Sequence, residues 1–508
     1  MSDTQGELVE DAVGPPPDEA APSFVGRTFA RWRQAIWEIA ASSRFPFVGS
    51  SDPDLDGGQL DRLRSELWAC VEARGGEASA RARAAGVAST YLALSSIGRV
   101  RFFRILGEEF GVDQAWVGRE IEAVTAAREE KDRLRAERRL REALIPPSMR
   151  LLTQFNALPN GLQFLIDMRA TLLNAKAGDP ALEAFDSDFR NLLASWFDVG
   201  FLTRRRLTWD SPASLLEKII AYEAVHEIGS WSDLRYRLDG PRRCYAFFHP
   251  SLPQEPLIFV QVALTDGLAG EIKSLLDERG SEVDAETANT AIFYSITNTL
   301  EGLRGISFGS FLIKQVVDDL AHDLPNLKFF ATLSPLPGFV GWLVEQSEDS
   351  LFTAKEREAL RSKSDAPLAE IVHGAPWLAG ERSRNAELGG VLEEPLTRAA
   401  ARYLVSRSER SGKPLDPVAR FHLGNGARIE RLNWAADDSP LRIRQSAGLM
   451  VNYLYHRPEI EANHEAYASK GIITVSPQIA DWLKKGSDDE RVRIGRRSGS
   501  RGLVIRRS

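Results

Sequence analysis

Residues 290–320 read TAIFYSITNTLEGLRGISFGSFLIKQVVDDL. The opening TAIFYSIT (290–297) is β-branched and aromatic, the composition of a strand. Gly302, Gly305 and Gly309 make NTLEGLRGISFG loop-like. SFLIKQVVDDL then places apolar residues at the three- and four-residue spacings of a helix. Strand, glycine loop, helix is an order that presents backbone N–H groups and the positive end of a helix dipole to an anion. Glycine lets the chain approach closely and adopt positive φ. Arg304 adds a cation at the rim, suited to a diphosphate. The same pattern also describes a plain structural turn. It is not a Walker loop, because no Gly-Lys-Ser/Thr follows, and G-x-x-G-x-x-x-G is not the dinucleotide spacing G-x-G-x-x-G.

The surroundings extend the strand–helix alternation. RCYAFFH (243–249), EPLIFVQVAL (255–264), NLKFFATLS (326–334) and ARIERLNW (427–434) read as further strands bounded by turn residues. SFLIKQVVDDLAHDL (310–324), GFVGWLVEQ (338–346), EPLTRAAARYLVSRSER (394–410) and LRIRQSAGLMVNYLY (441–455) read as helices. Residues 231–486 are therefore expected to form a mixed α/β domain on one central sheet. Residues 24–230 have a different character. FARWRQAIWEIA (29–40), LDRLRSELWACVEA (60–73) and VRFFRILGEEF (100–110) all carry helical periodicity, which predicts an all-α domain. Within it, AAREEKDRLRAERRLREAL (126–144) mixes both charge signs, as a solvated helix face does. The acidic, Pro-rich residues 1–23 are expected to be a disordered tail; they have neither the apolar core of a secretory signal nor the basic composition of a transit peptide. The Arg-, Gly- and Ser-rich residues 487–508 are expected to be a flexible tail.

Composition narrows the function classes. The 508 residues are 43% hydrophobic and 27% charged, an ordinary globular balance. A net charge of −7 argues against wholesale nucleic-acid binding. Two cysteines, Cys70 and Cys244, supply no disulfide framework or zinc spacing, and suit a reducing cytoplasm. No apolar run approaches the ~20 residues of a membrane span. The seven histidines show no H-E-x-x-H or comparable ligand spacing, which disfavours a metal enzyme.

Two polar residues lie where chemistry is plausible. TLSPLPGF (332–339) puts Ser334 at the end of a strand, facing the crevice where α/β sheets bind ligands; a serine in a Pro-rich turn is the plainer alternative. There is no G-x-S-x-G elbow, so a hydrolase nucleophile is not indicated. FHLGNGARIERLNW (421–434) puts His422 just before Gly-Asn-Gly. It reads as a core histidine or as a group titrating near neutral pH.

R-G-I-S-F-G-S (304–310) resembles the pyrophosphate loop Q/R-x-x-G-x-G/A of acyl-CoA-binding acetyltransferase folds, with one more residue between the glycines. In order and spacing, HPSLPQEPLIFVQVALT (249–265), AIFYSITNTLEGLRGISFGSFLIKQVV (291–317), LSPLPGFVGWL (333–343), PVARFHLGNGARIERLNWAAD (417–437) and GLMVNYLYH (448–456) resemble the malonyl-CoA decarboxylase family. The resemblance implies a helical domain that mediates homo-oligomer contacts (dimer or tetramer), followed by a catalytic domain of the GCN5-related acetyltransferase (GNAT) type. It implies conversion of malonyl-CoA to acetyl-CoA and CO2, with no metal, biotin or pyridoxal phosphate. It assigns Arg304, Gly305, Ile306, Ser307, Phe308, Gly309 and Ser310 to malonyl-CoA binding, and Ser334 and His422 to catalysis. Asn425 and Tyr455 match supporting polar positions. Animal members carry a carboxylate where this chain has Ser307, and they often end Ser-Lys-Leu where this chain ends Arg-Arg-Ser. A bacterial cytoplasmic enzyme regulating malonyl-CoA in fatty acid metabolism is the simplest expectation.

In the chemistry so implied, the thioester carbonyl holds the charge left by CO2. Ser334 hydrogen-bonds the malonyl group, and His422, near its natural pKa, protonates C2. Phe308, Phe339 and Trp342 are candidates for the pocket wall or for plain core. The alternatives are an acyltransferase on the same fold, distinguished by an acylated acceptor, and a non-catalytic malonyl-CoA-binding protein, distinguished by binding without turnover.

Overall fold

A computed structural model describes residues 53–74, 76–197, 199–277, 283–306, 311–375, 377, 384–409, 411–485, 493–496 and 503–506. Residues 1–52, which include the acidic tail, lie outside them. The chain forms two compact units, Met1–Phe189 and Arg190–Ser508.

The first unit is helical, from Gly58–Val71 onward. Its core is aromatic: Tyr91 packs against Phe102, Phe103 and Phe164 with ring centroids 5.1, 5.8 and 5.6 Å apart. The buried guanidinium of Arg169 donates to Asp186 at 2.8 Å, which compensates the cost of burying either charge. The charge-rich helix Glu130–Ala143 buries only Ala136 and Ala143, the solvated face its sequence predicts.

Among the described residues, the second unit is built on an 11-stranded mixed sheet. Its strands are β1 (Thr203–Leu207), β2 (Arg242–His249), β3 (Leu252–Thr265), β4 (Thr290–Asn298), β5 (Phe329–Thr332), β6 (Ser334–Pro335), β7 (Arg428–Asn433), β8 (Met450–Tyr455), β9 (Ile473–Val475), β10 (Arg493–Arg496) and β11 (Leu503–Arg506). The pairs β1–β2, β2–β3 and β3–β4 are antiparallel. β4 and β5 are parallel, as a strand–helix–strand crossover requires, and α1 (Phe311–Asp323) is that crossover helix. Beyond β5 the order is β8, β7, β9, β11, β10, with β6 also on β8. Two buried apolar clusters pack on the sheet: one holds Leu216, Ile219, Leu234, Phe248 and Phe259, and a second holds Ile292, Tyr294, Leu333, Met450 and Leu454. A helical unit followed by a mixed α/β sheet is the fold class the sequence predicts.

Three expectations change. The stretch 441–455 is not one helix. It divides into α3 (Pro440–Ser446) and β8, because Ala447 and Gly448 take φ of 52° and 77°, a left-handed pair that no helix continues through. The boundary expected at 230/231 lies at 189/190, since β1 pairs with β2 from Thr203↔Phe248 to Leu207↔Cys244. The Arg-rich end, expected to be a flexible tail, contributes a hairpin of β10 and β11, and β11 pairs with β9. Its Ile494 and the apolar run Leu503-Val504-Ile505 supply the strand composition that the arginines obscure.

α2 (Pro417–Gly424) starts on a strong signal. Asp416 accepts from Ala419 N–H at 2.7 Å as N-cap, and Pro417 occupies the first helical position. It ends at Asn425, followed by Gly426 at φ 84°. A Cβ there would stand 2.2 Å from the Ile460 carbonyl oxygen, so only glycine lets the chain turn into β7.

Candidate active site

Ser334 lies where β5 gives way to β6. Backbone pairing joins Phe330 and Ala331 to Tyr455 and Leu454, and resumes at Ser334↔Val451. Side chains bridge the gap. Asn452 Nδ2 donates to the Thr332 carbonyl at 2.7 Å, and Tyr453 N–H donates to Thr332 Oγ1 at 3.1 Å. Thr332 and Ser334 alternate onto one face, and so do Tyr453 and Tyr455.

α2 delivers His422 from its last turn. Its Nε2 is 3.3 Å from Ser334 Oγ, and its Nδ1 is 2.7 Å from the Tyr455 hydroxyl. Ser334 in turn donates to Thr332 Oγ1 at 2.9 Å. One proton arrangement runs through all three contacts in a single direction. Tyr455 O–H donates to Nδ1, Nε2–H donates to Ser334 Oγ, and Ser334 O–H donates to Thr332. It makes His422 the neutral Nε2–H tautomer. Burial enforces the same charge state, pulling the imidazole down from 6.5 to about 3 and the Tyr455 phenol well above its ordinary value. The expectation of a histidine near its natural pKa is therefore corrected. At 3% exposure, an imidazolium at His422 would be poorly solvated. The Tyr453 ring stacks on the imidazole with centroids 4.6 Å apart and planes 25° from parallel.

Ser334 and His422 open onto one cavity of about 360 Å³. Its walls are largely apolar, including Ile258, Val260, Phe293, Pro337 and Phe421, and Leu312 and Ile313 of α1 join them. The helix that follows the glycine loop thus forms part of the wall. Of the loop itself, Gly305 takes φ 80°, Ile306 is buried, and exposed Arg304 pairs with Glu301 at 2.9 Å. Ser307, Phe308, Gly309 and Ser310 lie outside the described residues.

Other predicted positions differ. The Asn425 side chain does not bond the His422 ring; its Nδ2 donates to the Phe421 carbonyl at 2.7 Å, and its backbone N–H donates to the His422 carbonyl at 3.1 Å, closing the end of α2. Phe339 and Trp342 do not line the cavity but pack on Tyr403, with centroids 5.8 and 5.5 Å away. Thr332, Tyr453, Ser295 and Arg442 belong to the site without having been singled out in sequence. The alternation N-Y-L-Y would have paired Tyr453 with Tyr455 once that stretch was read as a strand. Among the described residues, no group of three or more His, Cys, Asp or Glu side chains is placed to hold a metal ion, and no helix is long and apolar enough to cross a membrane.

Two family models match the chain: the malonyl-CoA decarboxylase N-terminal domain over residues 110–197 and its C-terminal domain over 200–493. The mitochondrial malonyl-CoA decarboxylase of Anser anser anser is 38% identical over 409 residues, covering 76% of this chain and 80% of that one. The mitochondrial malonyl-CoA decarboxylase of Rattus norvegicus is 38% identical over 392 residues, covering 74% and 79%. Among solved structures, malonyl-CoA decarboxylase from Rhodopseudomonas palustris superposes with a TM-score of 0.74 at 43% identity, covering 83% of this chain and 99% of that one. Malonyl-CoA decarboxylase from Agrobacterium vitis gives 0.73 at 42% identity, with the same coverage.

Proposed function

The chain belongs to the malonyl-CoA decarboxylase family of carboxy-lyases, and from that premise we propose that it cleaves malonyl-CoA with Ser334 and a neutral His422. The observation that carries this reading is the hydrogen-bonded series Tyr455–His422–Ser334–Thr332 at the wall of an apolar cavity.

With the thioester carbonyl numbered C1, the bond that breaks is C2–C3, which joins the carboxylate to the methylene carbon. The electron pair of that breaking C–C bond moves into the thioester, CO2 departs, and an enolate of acetyl-CoA remains. Three protein tasks follow. The apolar walls strip water from the carboxylate, raising its energy relative to neutral CO2. The Ser334 hydroxyl turns from Thr332 toward the substrate and donates to the thioester oxygen as charge develops. His422 Nε2–H gives its proton to C2, forming acetyl-CoA. A thioester enolate is basic enough to take a proton from a neutral imidazole. An imidazolium in this enclosure would instead pair with the carboxylate and oppose its departure. Tyr455, donating to Nδ1, stabilises the charge left on the ring until Nε2 is reprotonated.

The loop 304–310 binds the CoA diphosphate in this account, and it leads directly into the helix that walls the cavity. Homo-oligomer contacts are placed on the helical unit, whose exposed Ile121, Leu134, Leu144 and Ile145 favour association. The physiological role is control of malonyl-CoA in cytoplasmic fatty acid metabolism.

The test is product analysis. Purified protein in a buffer containing a metal chelator should convert malonyl-CoA to equal amounts of acetyl-CoA and CO2 with no added cofactor. Transfer of the acyl group to an amine, or binding without turnover, would overturn the assignment.

A further inference from the structure

Among the described residues that line the cavity, Arg442 is the one carrying a formal charge at neutral pH. The residue is 5% exposed, and it projects from the first turn of α3. That helix is fixed beside the Ser334 segment, because Ser446 Oγ accepts from Leu336 N–H at 3.0 Å. Arg442 Nη1 donates to Gln445 Oε1 at 2.7 Å, and Nη2 donates to the Val225 carbonyl at 2.6 Å. Its Nε has no hydrogen-bond partner. Asp437 stops 4.0 Å short of that nitrogen, and Asp437 Oδ2 is also without a partner. A buried guanidinium thus stands at the wall of an apolar chamber, with the neighbouring Asp437 carboxylate at 4.0 Å rather than in hydrogen-bond contact, a looser pairing than a closed ion pair.

Resting on the decarboxylase reading above, we infer that Arg442 selects acyl chains ending in a carboxylate, and that Asp437 and the Val225 carbonyl limit how tightly it holds them. The malonyl carboxylate is what separates substrate from product, so a lone cation is a sufficient discriminator. A fully available guanidinium would bind the carboxylate in a bidentate pair and stabilise the ground state against losing CO2. Two neutral acceptors and a nearby carboxylate already draw on Arg442, which weakens that grip. When CO2 leaves, Arg442 is not stranded, because Asp437 remains beside it.

The test reads binding apart from turnover. In the His422→Gln protein, Kd values for malonyl-CoA and acetyl-CoA are measured by calorimetry, with and without a second substitution. Adding Arg442→Gln should weaken malonyl-CoA by roughly 10- to 100-fold, the range for a charge-assisted hydrogen bond, and acetyl-CoA by less than threefold. Arg442→Lys should recover part of the loss. Asp437→Asn should do the opposite, tightening malonyl-CoA severalfold; in the otherwise wild-type protein it should lower kcat. An Arg442 that serves only to hold Val225 predicts equal losses for both ligands and no tightening in Asp437→Asn, and that pattern would overturn the inference. Failure of wild-type protein to release CO2 would refute the decarboxylase reading instead, while the binding ratio would still report on Arg442.

Discussion

His422→Gln is expected to lower kcat for malonyl-CoA by about 10²- to 10⁴-fold while changing KM less than threefold. Glutamine is a demanding replacement. Its side-chain amide reaches about as far as Nε2 and can still donate a hydrogen bond to Ser334, yet it cannot surrender a proton. A histidine that merely orients Ser334 would therefore be replaced with little loss. A histidine that protonates C2 would not. Steady-state kinetics decide between them: turnover within tenfold of wild type would reduce His422 to a positioning residue. The packing supports retention of the fold, because Tyr453 still stacks over a planar amide and Tyr455 keeps an acceptor within reach.

Ser334→Ala is expected to lower kcat by about 10²- to 10³-fold, the cost of removing one donor aimed at developing negative charge. The loss should fall on kcat more than on KM, since the interaction strengthens as the enolate forms. The substitution also leaves His422 Nε2–H without its acceptor in a buried site, with a stability cost of about 1–3 kcal/mol. Thermal unfolding should register that cost as a lower midpoint, with the catalytic loss persisting at temperatures where the variant is fully folded. Near-normal turnover in folded Ser334→Ala would remove the serine from the mechanism.

Much of this architecture was readable in sequence because local signals and tertiary fold agree. TAIFYSIT is β4, the glycine loop follows, and SFLIKQVVDDL opens the helix Phe311–Asp323. Ser334 and His422 were readable as motif residues although 88 positions separate them. Other features depend on contacts that no local pattern encodes. LRIRQSAGLMVNYLY satisfies helical spacing throughout, and only the left-handed turn at Ala447 and Gly448 ends the helix and releases β8. Reading that stretch as helix concealed Tyr453. Arg442 lies in the same stretch, and nothing local marks its hydrogen bond to the Val225 carbonyl, 217 positions earlier in the chain. The charge state of His422 was equally hidden. Histidine carries an ordinary value near 6.5, and only enclosure by β8 and the cavity wall pulls it down to about 3.

That charge state is the centre of the account, and histidine nitrogen NMR reads it most directly. Protein labelled with ¹⁵N-histidine, with His422→Gln used to assign the ring, would be followed from pH 8 to pH 5. A group lowered to about 3 stays deprotonated across this window, so the ring nitrogens of His422 should hold constant shifts with the proton on Nε2. A titration centred near 6.5, or a proton resident on Nδ1, would contradict it.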